Sequence, residues 1–383
     1  MFSGICINVY ASEWLVGSYQ QKITAYWNGG KMRASSYVLN KKRIFTLYPQ
    51  LEEERAERKT GSRADIRTKL MILSILVLLA AAAYLTVGVH FENQRLMNYA
   101  FSLRTPKLIV MAIAAFAIGG ASIVFQSIIN NTIVTPCLLG MNSLYTLIHT
   151  AVVFFAGSGS ILAVNANLAF AADLILMSVA ATFIYSYLFR KTNHNVLYVL
   201  LVGTVLSSFF GSLQGTMIRV MDPNEYDSLL ATLVASLSNI NGEIITVSLL
   251  VLAGVIFLLR KELALLDVIT LGKNQAINLG VDYDRTIRRL LWGVTICIAV
   301  ATAMVGPISF LGLIIANLSR QLFKTYRHSV LITGATLFGM VLLMGGQLIV
   351  EHIFVYSVPI SVFITVGGGL YFLYLLLKGR KSI

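Results

Sequence analysis

Charged residues are scarce in this sequence, whereas apolar residues are abundant. Of its 383 residues, 12% are charged and 57% are hydrophobic, and the mean hydropathy is +0.76. A soluble domain cannot bury that much apolar surface. The composition therefore excludes the soluble classes and indicates an integral membrane protein that crosses the bilayer several times.

Cysteines are few, and the signatures of catalysis are missing. Cys6, Cys137 and Cys297 are too widely spaced to indicate a disulfide framework or a metal site. The sequence has no GxxxxGK(S/T) phosphate loop, no HExxH pair, no GxSxG turn and no paired carboxylates within one apolar run. We therefore predict a chain that is not an enzyme, holds no cofactor or metal and has no ATPase site of its own.

Acidic residues are too few to balance the basic ones, which leaves a formal net charge of +13. The basic residues collect between apolar runs, chiefly at 41–43, 63–69, 190–191, 260–289, 320–327 and 378–381. This placement follows the positive-inside rule of membrane proteins. The excess charge therefore reflects topology. Because no basic and aromatic surface stands on a soluble domain, we exclude binding of nucleic acid.

Ten apolar runs are candidates to cross the roughly 30 Å hydrocarbon core of a bilayer. They lie near 70–89, 107–126, 138–157, 165–189, 196–217, 243–259, 290–306, 308–319, 329–350 and 356–377. An even number of spans places the main basic clusters and both termini in the cytoplasm. We predict one transmembrane domain over 70–383 after a poorly ordered cytoplasmic tail over 1–69. Its residues 1–31, before Met32, are either tail or a consequence of start-codon choice.

One long polar stretch, residues 260–289, separates two apolar runs and contains two short helical patterns. Leu263, Leu266 and Ile269 share one face of the first pattern. Each pattern ends at a glycine, Gly272 or Gly280, and glycine favours the left-handed conformation that ends a helix. A helical protrusion with one apolar side fits a groove on another protein. The alternative interpretation is an ordinary connecting loop.

Few polar side chains interrupt the apolar runs. Asp173 is the clearest ionisable residue within a run, and an intramembrane carboxylate is a candidate for a role in transport. His149 lies alone in another run, and we interpret it as a packing residue. Gln126 and Gln214 either line a hydrated path or form hydrogen bonds with a neighbouring helix.

A break in the helical pattern is predicted at Gly306-Pro307, because proline lacks a backbone donor and interrupts a helix. Beyond the break, Gly312, Ala316 and Ser319 recur at roughly helical spacing. Small residues at that spacing allow another helix to approach closely.

The stretch after this break resembles a known signature. Residues 306–320, GPISFLGLIIANLSR, are similar to the pattern GxIGFVGLxxPHxxR of the permeases of iron-siderophore and vitamin B12 ABC importers. Further similarities to this family follow in the same order along the chain: RTPK at 104–107; Gly120, Gln126, Asn131 and LLG at 138–140; LVG at 201–203 with Ser207; LG at 271–272; and LGV at 279–281.

The resemblance implies an all-α fold of about ten transmembrane helices, like that of the vitamin B12 permease, in a bacterial cell membrane. It implies import of a ferric siderophore, with a second permease copy or a related permease, ABC ATPase subunits that bind the ATP, and a substrate-binding lipoprotein as partners. A secondary transporter driven by an ion gradient is the alternative. Asp173 alone favours it, and we see no inverted repeat.

The resemblance also assigns roles to positions in this sequence. We place contact with the ATPase on a coupling segment, residues 261–281, with cytoplasmic helices that carry Leu265, Leu266, Leu271, Gly272, Leu279 and Gly280. The resemblance places docking of the binding protein on Arg104 and Lys107. We assign the translocation path to Gln126, Ser207 and Gln214, of which Gln214 is chosen as a polar residue within an apolar run.

Several positions depart from the family pattern. Ala316-Asn317 stands where proline and histidine are usual, and Gln347 where aspartate is common. Glu351 inverts the charge of a third basic docking position. The set resembles the branch that imports catecholate-type siderophores of the anguibactin and petrobactin kind, whose members commonly pair two different permeases.

Overall fold

The computed structural model describes residues 23–28, 31–36, 65–89, 93–157, 159–160, 165–191, 196–233, 242–355 and 358–379. The chain divides into two units, Met1–Arg67 and Thr68–Ile383. In the first unit, β1 (Ile23–Asn28) and β2 (Lys31–Ser36) pair as antiparallel strands. Up to residue 64, the rest of the tail predicted to be poorly ordered lies outside the described residues.

From Asp65 onward, the described elements are helices joined by loops and turns. They are α1 (Asp65–Thr86), α2 (Gln94–Ile129), α3 (Met141–Ala156), α4 (Ala166–Lys191), α5 (Val196–Val220), α6 (Pro223–Leu233), α7 (Gly242–Ala264), α8 (Leu266–Ile269), α9 (Lys273–Asn278), α10 (Tyr283–Val305), α11 (Leu311–Phe323), α12 (His328–His352) and α13 (Ile360–Gly379). A short 3₁₀ turn, Cys137–Leu139, precedes α3.

The described helices confirm the prediction of an all-α membrane protein. Seven of them, α1, α2, α4, α5, α7, α10 and α12, are long and apolar enough to cross a bilayer. Three shorter apolar helices occupy the other predicted spans: α3, α11 and α13. Each of the ten predicted spans thus coincides with an apolar helix.

Helix α2 forms the centre of the bundle. In its most apolar stretch, 72% of the residues are buried, against 11% in α1 and 17% in α5. It packs against α10, α11 and α12, and α10 packs in turn against α4. Because α1 and α5 bury few of their apolar side chains, those two helices present surfaces available to lipid or to another chain.

Helix α2 begins earlier than its apolar run. We predicted a span at 107–126, whereas the helix has 36 residues and continues through Pro106. Asn93 caps its first turn by accepting a hydrogen bond from the backbone N–H of Arg95. At 1.5 Å per residue the helix is roughly 54 Å long, well beyond the bilayer core.

The predicted break between α10 and α11 is confirmed. Helix α10 ends at Val305, Gly306 has φ 87°, and Phe310 has φ 62° just before α11 begins. Gly312 lies so close to α2 that an added Cβ would stand 2.1 Å from the Ser122 hydroxyl. The small residue therefore serves the close helix packing that its spacing predicted.

Candidate functional site

The coupling segment forms a compact turn of two short helices after α7. Leu265 separates α7 from α8, and Gly272 and Gly280 end the turns with φ 101° and 82°. No heavy atom lies within 4 Å of where a Cβ would stand on either glycine. The two glycines are therefore needed for their backbone conformation and not for close packing.

The apolar residues of this segment divide into a buried set and an exposed set. Leu266, Ile269 and Ala276 are fully buried against the protein's own helices. Three others are exposed by 54%, 50% and 63%, in the order Leu271, Ile277 and Leu279. We call these three the exposed triad. Leu266, which we predicted at the ATPase contact, lies inside the protein and anchors the segment instead.

Ionic and polar contacts hold the coupling segment against its neighbours. Arg289 on α10 donates to Glu262 on α7 across 2.6 Å. Lys273 lies 3.3 Å from Asp284, and Asp282 caps α10 by accepting from the N–H of Arg285. The buried carboxylate of Glu262 ties the start of the segment to α10, whereas the half-exposed Lys273–Asp284 pair adds less.

The family motifs predicted from the sequence meet in space. Gly203 on α5 abuts Leu139, where an added Cβ would lie 2.4 Å from the leucine side chain. Ser207, one turn further, lies 2.8 Å from the Ser143 hydroxyl and next to Gly140, whose φ is 96°. The fifth-span motif and the LLG motif are therefore parts of one packing contact.

The path residues predicted from the sequence do not come together. Gln126 is 1% exposed and is engaged by Thr132 and Arg320. Ser207 is turned toward α3, and Gln214 is half-buried further along α5. Their role in a translocation path stays a prediction.

Helix α5 carries a row of hydroxyl side chains on its exposed surface. The row consists of Thr204, Ser208, Ser212 and Thr216, each of which donates to a carbonyl of the preceding turn. Gly211 and Gly215 beside it have no heavy atom within 4 Å of an added Cβ. An exposed face of small and polar residues on a membrane helix suits another helix or water better than lipid.

In the N-terminal half of α2, Arg104 and Lys107 both lie close to the carboxylate of Glu351. Their cationic nitrogens lie 3.8 and 3.9 Å from the oxygens of Glu351, which is 4% exposed. Tyr84 and Gln347 also donate hydrogen bonds to Glu351, and Arg104 donates to the carbonyls of Tyr84 and Val87. We call these residues the Glu351 cluster, and Glu351 partly neutralises the two cations.

The two ionisable residues inside the apolar runs form a pair that the sequence analysis did not anticipate. His149 Nδ1 lies 2.7 Å from Asp173 Oδ2, and both side chains are buried. The Tyr145 ring stacks on the imidazole. The useful signal was that lone ionisable residues in neighbouring membrane runs need partners.

Within the described residues, no group of three or more His, Cys, Asp or Glu side chains could hold a metal ion. The absence of a cofactor stays a prediction. The arrangement has two features that point to partner proteins: the exposed triad at one end of the bundle and the hydroxyl row on α5.

Comparison with known proteins gives a consistent set of similarities. The pattern of the FecCD transport family matches residues 69–378. The petrobactin import system permease protein YclO of Bacillus subtilis (strain 168) is 38% identical over 313 residues, covering 80% of this chain and 98% of the relative. The petrobactin import system permease protein FatC of Bacillus anthracis is 31% identical over 280 residues, covering 72% of this chain and 78% of FatC.

The fold has a counterpart among solved structures. A chain described as an inward-facing conformation of a metal-chelate type ABC transporter superposes with a TM-score of 0.69. The match covers 82% of this chain and 99% of that one, at 22% identity. At that identity the likeness supports the helical architecture alone.

Proposed function

Because the chain belongs to the FecCD transport family, we propose that it is the membrane permease subunit of an ABC importer that brings a ferric siderophore into a bacterial cell. The observation that carries this proposal is the exposed triad on a firmly held helical turn at one end of the bundle. Such a surface is suited to a cleft on a partner that supplies the energy.

The proposed cargo is a ferric siderophore of the petrobactin kind. Both relatives described above are permeases of petrobactin import systems, and the departures from the family signature resemble that branch.

The proposed partners occupy three separate surfaces. Two ATPase subunits bind the coupling segments and hydrolyse the ATP. A second permease, either a copy or a related chain, packs against the hydroxyl row of α5 and encloses the path with it. A substrate-binding lipoprotein docks at Arg104 and Lys107, where its acidic residues compete with Glu351 for the two cations. Both termini then face the cytoplasm.

A second candidate function rests on the His149–Asp173 pair. A buried carboxylate and imidazole within the membrane are typical of transporters driven by an ion gradient. In the ABC importer the same pair only joins α3 to α4 through the hydrogen bond between His149 Nδ1 and Asp173 Oδ2, and Asp173 Oδ1 has no hydrogen-bond partner among the described residues. The two functions predict different energy sources and are therefore separable.

The test is uptake by purified transporter in proteoliposomes. The chain is tagged and purified from its own membranes with whatever ATPase and permease accompany it, and the vesicles are given binding protein and radiolabelled ferric petrobactin. We expect uptake that requires ATP and persists when a protonophore collapses the gradient. Uptake without ATP that a protonophore abolishes would contradict the importer and support the second candidate.

Asp173→Asn sharpens this comparison. In the ABC importer the variant should retain ATP-driven uptake, with a small loss of thermal stability from the weakened contact to His149. In a gradient-driven transporter the same variant should lose uptake altogether.

A further inference from the structure

A continuous chain of polar side chains joins the coupling segment to the interior of the helical bundle. It runs from Asp267 on α8 through His328 and Ser127 to Arg320 and Gln126. We call these five residues the inner network. His328, Ser127 and Gln126 are no more than 5% exposed, so most of the network lies away from water.

At the end of the network that lies in the coupling segment, Asp267 on α8 caps the long helix α12. The backbone N–H of His328 donates to Asp267 Oδ1 across 3.2 Å, and the His328 ring nitrogen Nδ1 pairs with the same oxygen. Arg327, the N-cap residue of α12, provides no capping hydrogen bond from its side chain. Asp267 thus supplies both the acceptor and the negative charge that favour the start of α12.

Inside the bundle, Ser127 joins three helices. Its hydroxyl lies 2.8 Å from His328 Nε2 on α12 and accepts a hydrogen bond from Arg320 on α11 across 3.1 Å. Ser127 itself belongs to the last turn of α2. Any displacement of α12 or α11 at this end therefore changes a contact of α2.

The network continues into the loop after α2. Arg320 Nε donates to Gln126 Oε1 across 3.2 Å. Gln126 donates in turn to the carbonyl of Thr132 across 2.7 Å, and Asn317 on α11 donates to that carbonyl across 3.0 Å. Asn317 stands where the family pattern has histidine, so this chain keeps a polar donor at the position.

Most of the inner network is buried, unlike the Lys273–Asp284 pair, which also holds the coupling segment. Lys273 and Asp284 are exposed by about half, and such ion pairs contribute little because water competes for them. Hydrogen bonds in a buried setting are stronger and more sensitive to geometry. The Arg289–Glu262 pair links the segment to α10 alone. The inner network starts at Asp267, which is 45% exposed, and continues through buried side chains to α2, α11 and α12.

We propose that the inner network passes movement of the coupling segment to α2, α11 and α12, with Asp267, His328 and Ser127 as positioning residues. The proposal rests on the proposed function, because it assumes that an ATPase moves the segment. An ATPase that draws the exposed triad aside would pull on the Asp267 cap of α12 and through His328 on Ser127.

Ser127→Ala tests the proposal with a matched control on the same helix. Ser122 is also fully buried, and its hydroxyl has no hydrogen-bond partner among the described residues. We expect Ser127→Ala to keep assembly with the ATPase and basal ATP hydrolysis. The number of ferric petrobactin molecules imported per ATP should fall about three- to tenfold, because the variant loses the contacts of Ser127 to both His328 and Arg320. Ser122→Ala should match the wild type.

Asp267→Ala and the double variant decide between transmission and local stability. If the network acts as one link, breaking it at two residues should reduce the import per ATP no more than breaking it at one. The double variant Asp267→Ala with Ser127→Ala should therefore import as much per ATP as the single variant with the lower import. Losses that multiply, or a Ser127→Ala ratio equal to that of Ser122→Ala, would overturn the proposal.

Two further outcomes have a defined meaning. If Ser127→Ala fails to assemble, Asp267→Ala alone serves instead, because it removes both contacts to His328 at a position whose side chain is about half exposed. A wild-type ratio in that variant would then overturn the proposal. A wild-type protein that shows no ATP-driven uptake would instead contradict the proposed function itself.

Discussion

At the end of α2 that carries Arg104 and Lys107, one carboxylate decides how much positive charge the surface presents. Glu351 lies within 4 Å of both cations and is nearly inaccessible to solvent. The cations themselves are 15% and 14% exposed. A docking partner therefore meets charges that are already partly neutralised, and its acidic residues gain less than they would against free cations.

Replacing Glu351 by Gln should accelerate docking of the binding protein. The amide still accepts from Tyr84, so the local packing persists while the surface gains one unit of net positive charge. We expect a faster association rate at low salt, and a difference that disappears near 1 M salt, where the screening length falls to about 3 Å. Surface plasmon resonance across ionic strengths measures both.

Two comparisons make that measurement specific. Glu225→Gln removes the same charge from a half-buried position on α6, away from the Glu351 cluster, and should change the association rate much less. Arg104→Glu with Lys107→Glu should slow association. If Glu351→Gln and Glu225→Gln behave alike, the Glu351 cluster does not form the docking surface.

Gly272 holds a conformation that other residues resist. Its φ of 101° and ψ of 162° lie in a region that is nearly exclusive to glycine. Gly272→Val should cost about 1–3 kcal/mol of backbone strain and displace α9, although the space around it is open. We expect membrane insertion to persist and uptake per ATP hydrolysed to fall.

Gly254→Val is the control for Gly272→Val, because Gly254 also has open space for a side chain but lies within α7. It should transport normally. Normal transport by Gly272→Val as well would show that the turn tolerates another conformation.

The role of a single residue was predictable where it depends on the local backbone conformation. It was not predictable where it depends on a partner distant in the sequence. Gly272 and Gly280 were expected to end short helices, and both have positive φ. The partners of Asp267 and Asp173 were missed, because His328 is 61 residues away and the hydropathy of a run does not report which neighbour its polar residues face.

At the scale of elements, α2 and α12 pack so closely that one position of their contact, Gly339, has no room for a side chain. A Cβ on Gly339 would stand 2.9 Å from the Cβ of Ala115 and 3.2 Å from its Cα. Backbone atoms on α2 cannot yield as a flexible side chain can. This contact therefore fixes the distance between the central helix and α12.

Gly339→Ala should lower the stability of the folded permease by about 1–3 kcal/mol, the usual cost of overpacking a close contact. Gly345→Ala on the same helix has open space and should be neutral or slightly stabilising, because alanine favours helices over glycine. Thermal unfolding of both variants in detergent compares them. Equal midpoints would show that α2 and α12 are less closely packed than described.

Apolar helices were predictable from the sequence, whereas a more polar helix was not. All ten apolar runs became helices, because a membrane helix satisfies its own backbone hydrogen bonds. Helix α6 was not predicted, because its first turn is polar and resembles a loop in composition. The helix begins at Pro223, and Asp222 caps it by accepting from the N–H of Asn224. It is held by Leu229, which packs with Val153 and Met221.

For the whole molecule, function depends on surfaces that the chain leaves open. The exposed triad consists of large apolar side chains at the end of the bundle, and burying each against a partner is worth roughly 1.5–3 kcal/mol. Leu271 and Leu279, which we predict at the ATPase contact, are exposed, while Leu266 is buried because its face of α8 packs inward.

Leu279→Asp should abolish co-purification of the ATPase while the permease itself remains folded. Its side chain is 63% exposed, so the charge disturbs a partner and not the core. Leu266→Asp should instead prevent folding, because that side chain is fully buried. Size-exclusion profiles and pull-down assays distinguish the two. ATPase retained by Leu279→Asp would place the contact elsewhere.

The hydroxyl row on α5 predicts where a second permease lies. A photo-crosslinking amino acid in place of Ser212 should capture another permease, and the mass of the product will show whether it is a copy or a related chain. The same amino acid in place of Leu78, which is 69% exposed on α1, should capture none. A crosslinked product from Leu78 and none from Ser212 would show that the second permease contacts α1 and not α5.

Helix α2 carries Arg104 near one end and Ser127 near the other, about 35 Å apart along its axis at 1.5 Å per residue. One rigid element thus touches both the proposed docking site and the inner network. Thermodynamic linkage then imposes reciprocity. Whatever factor docking outside applies to the affinity for ATP, bound ATP must apply the same factor to the affinity for the binding protein.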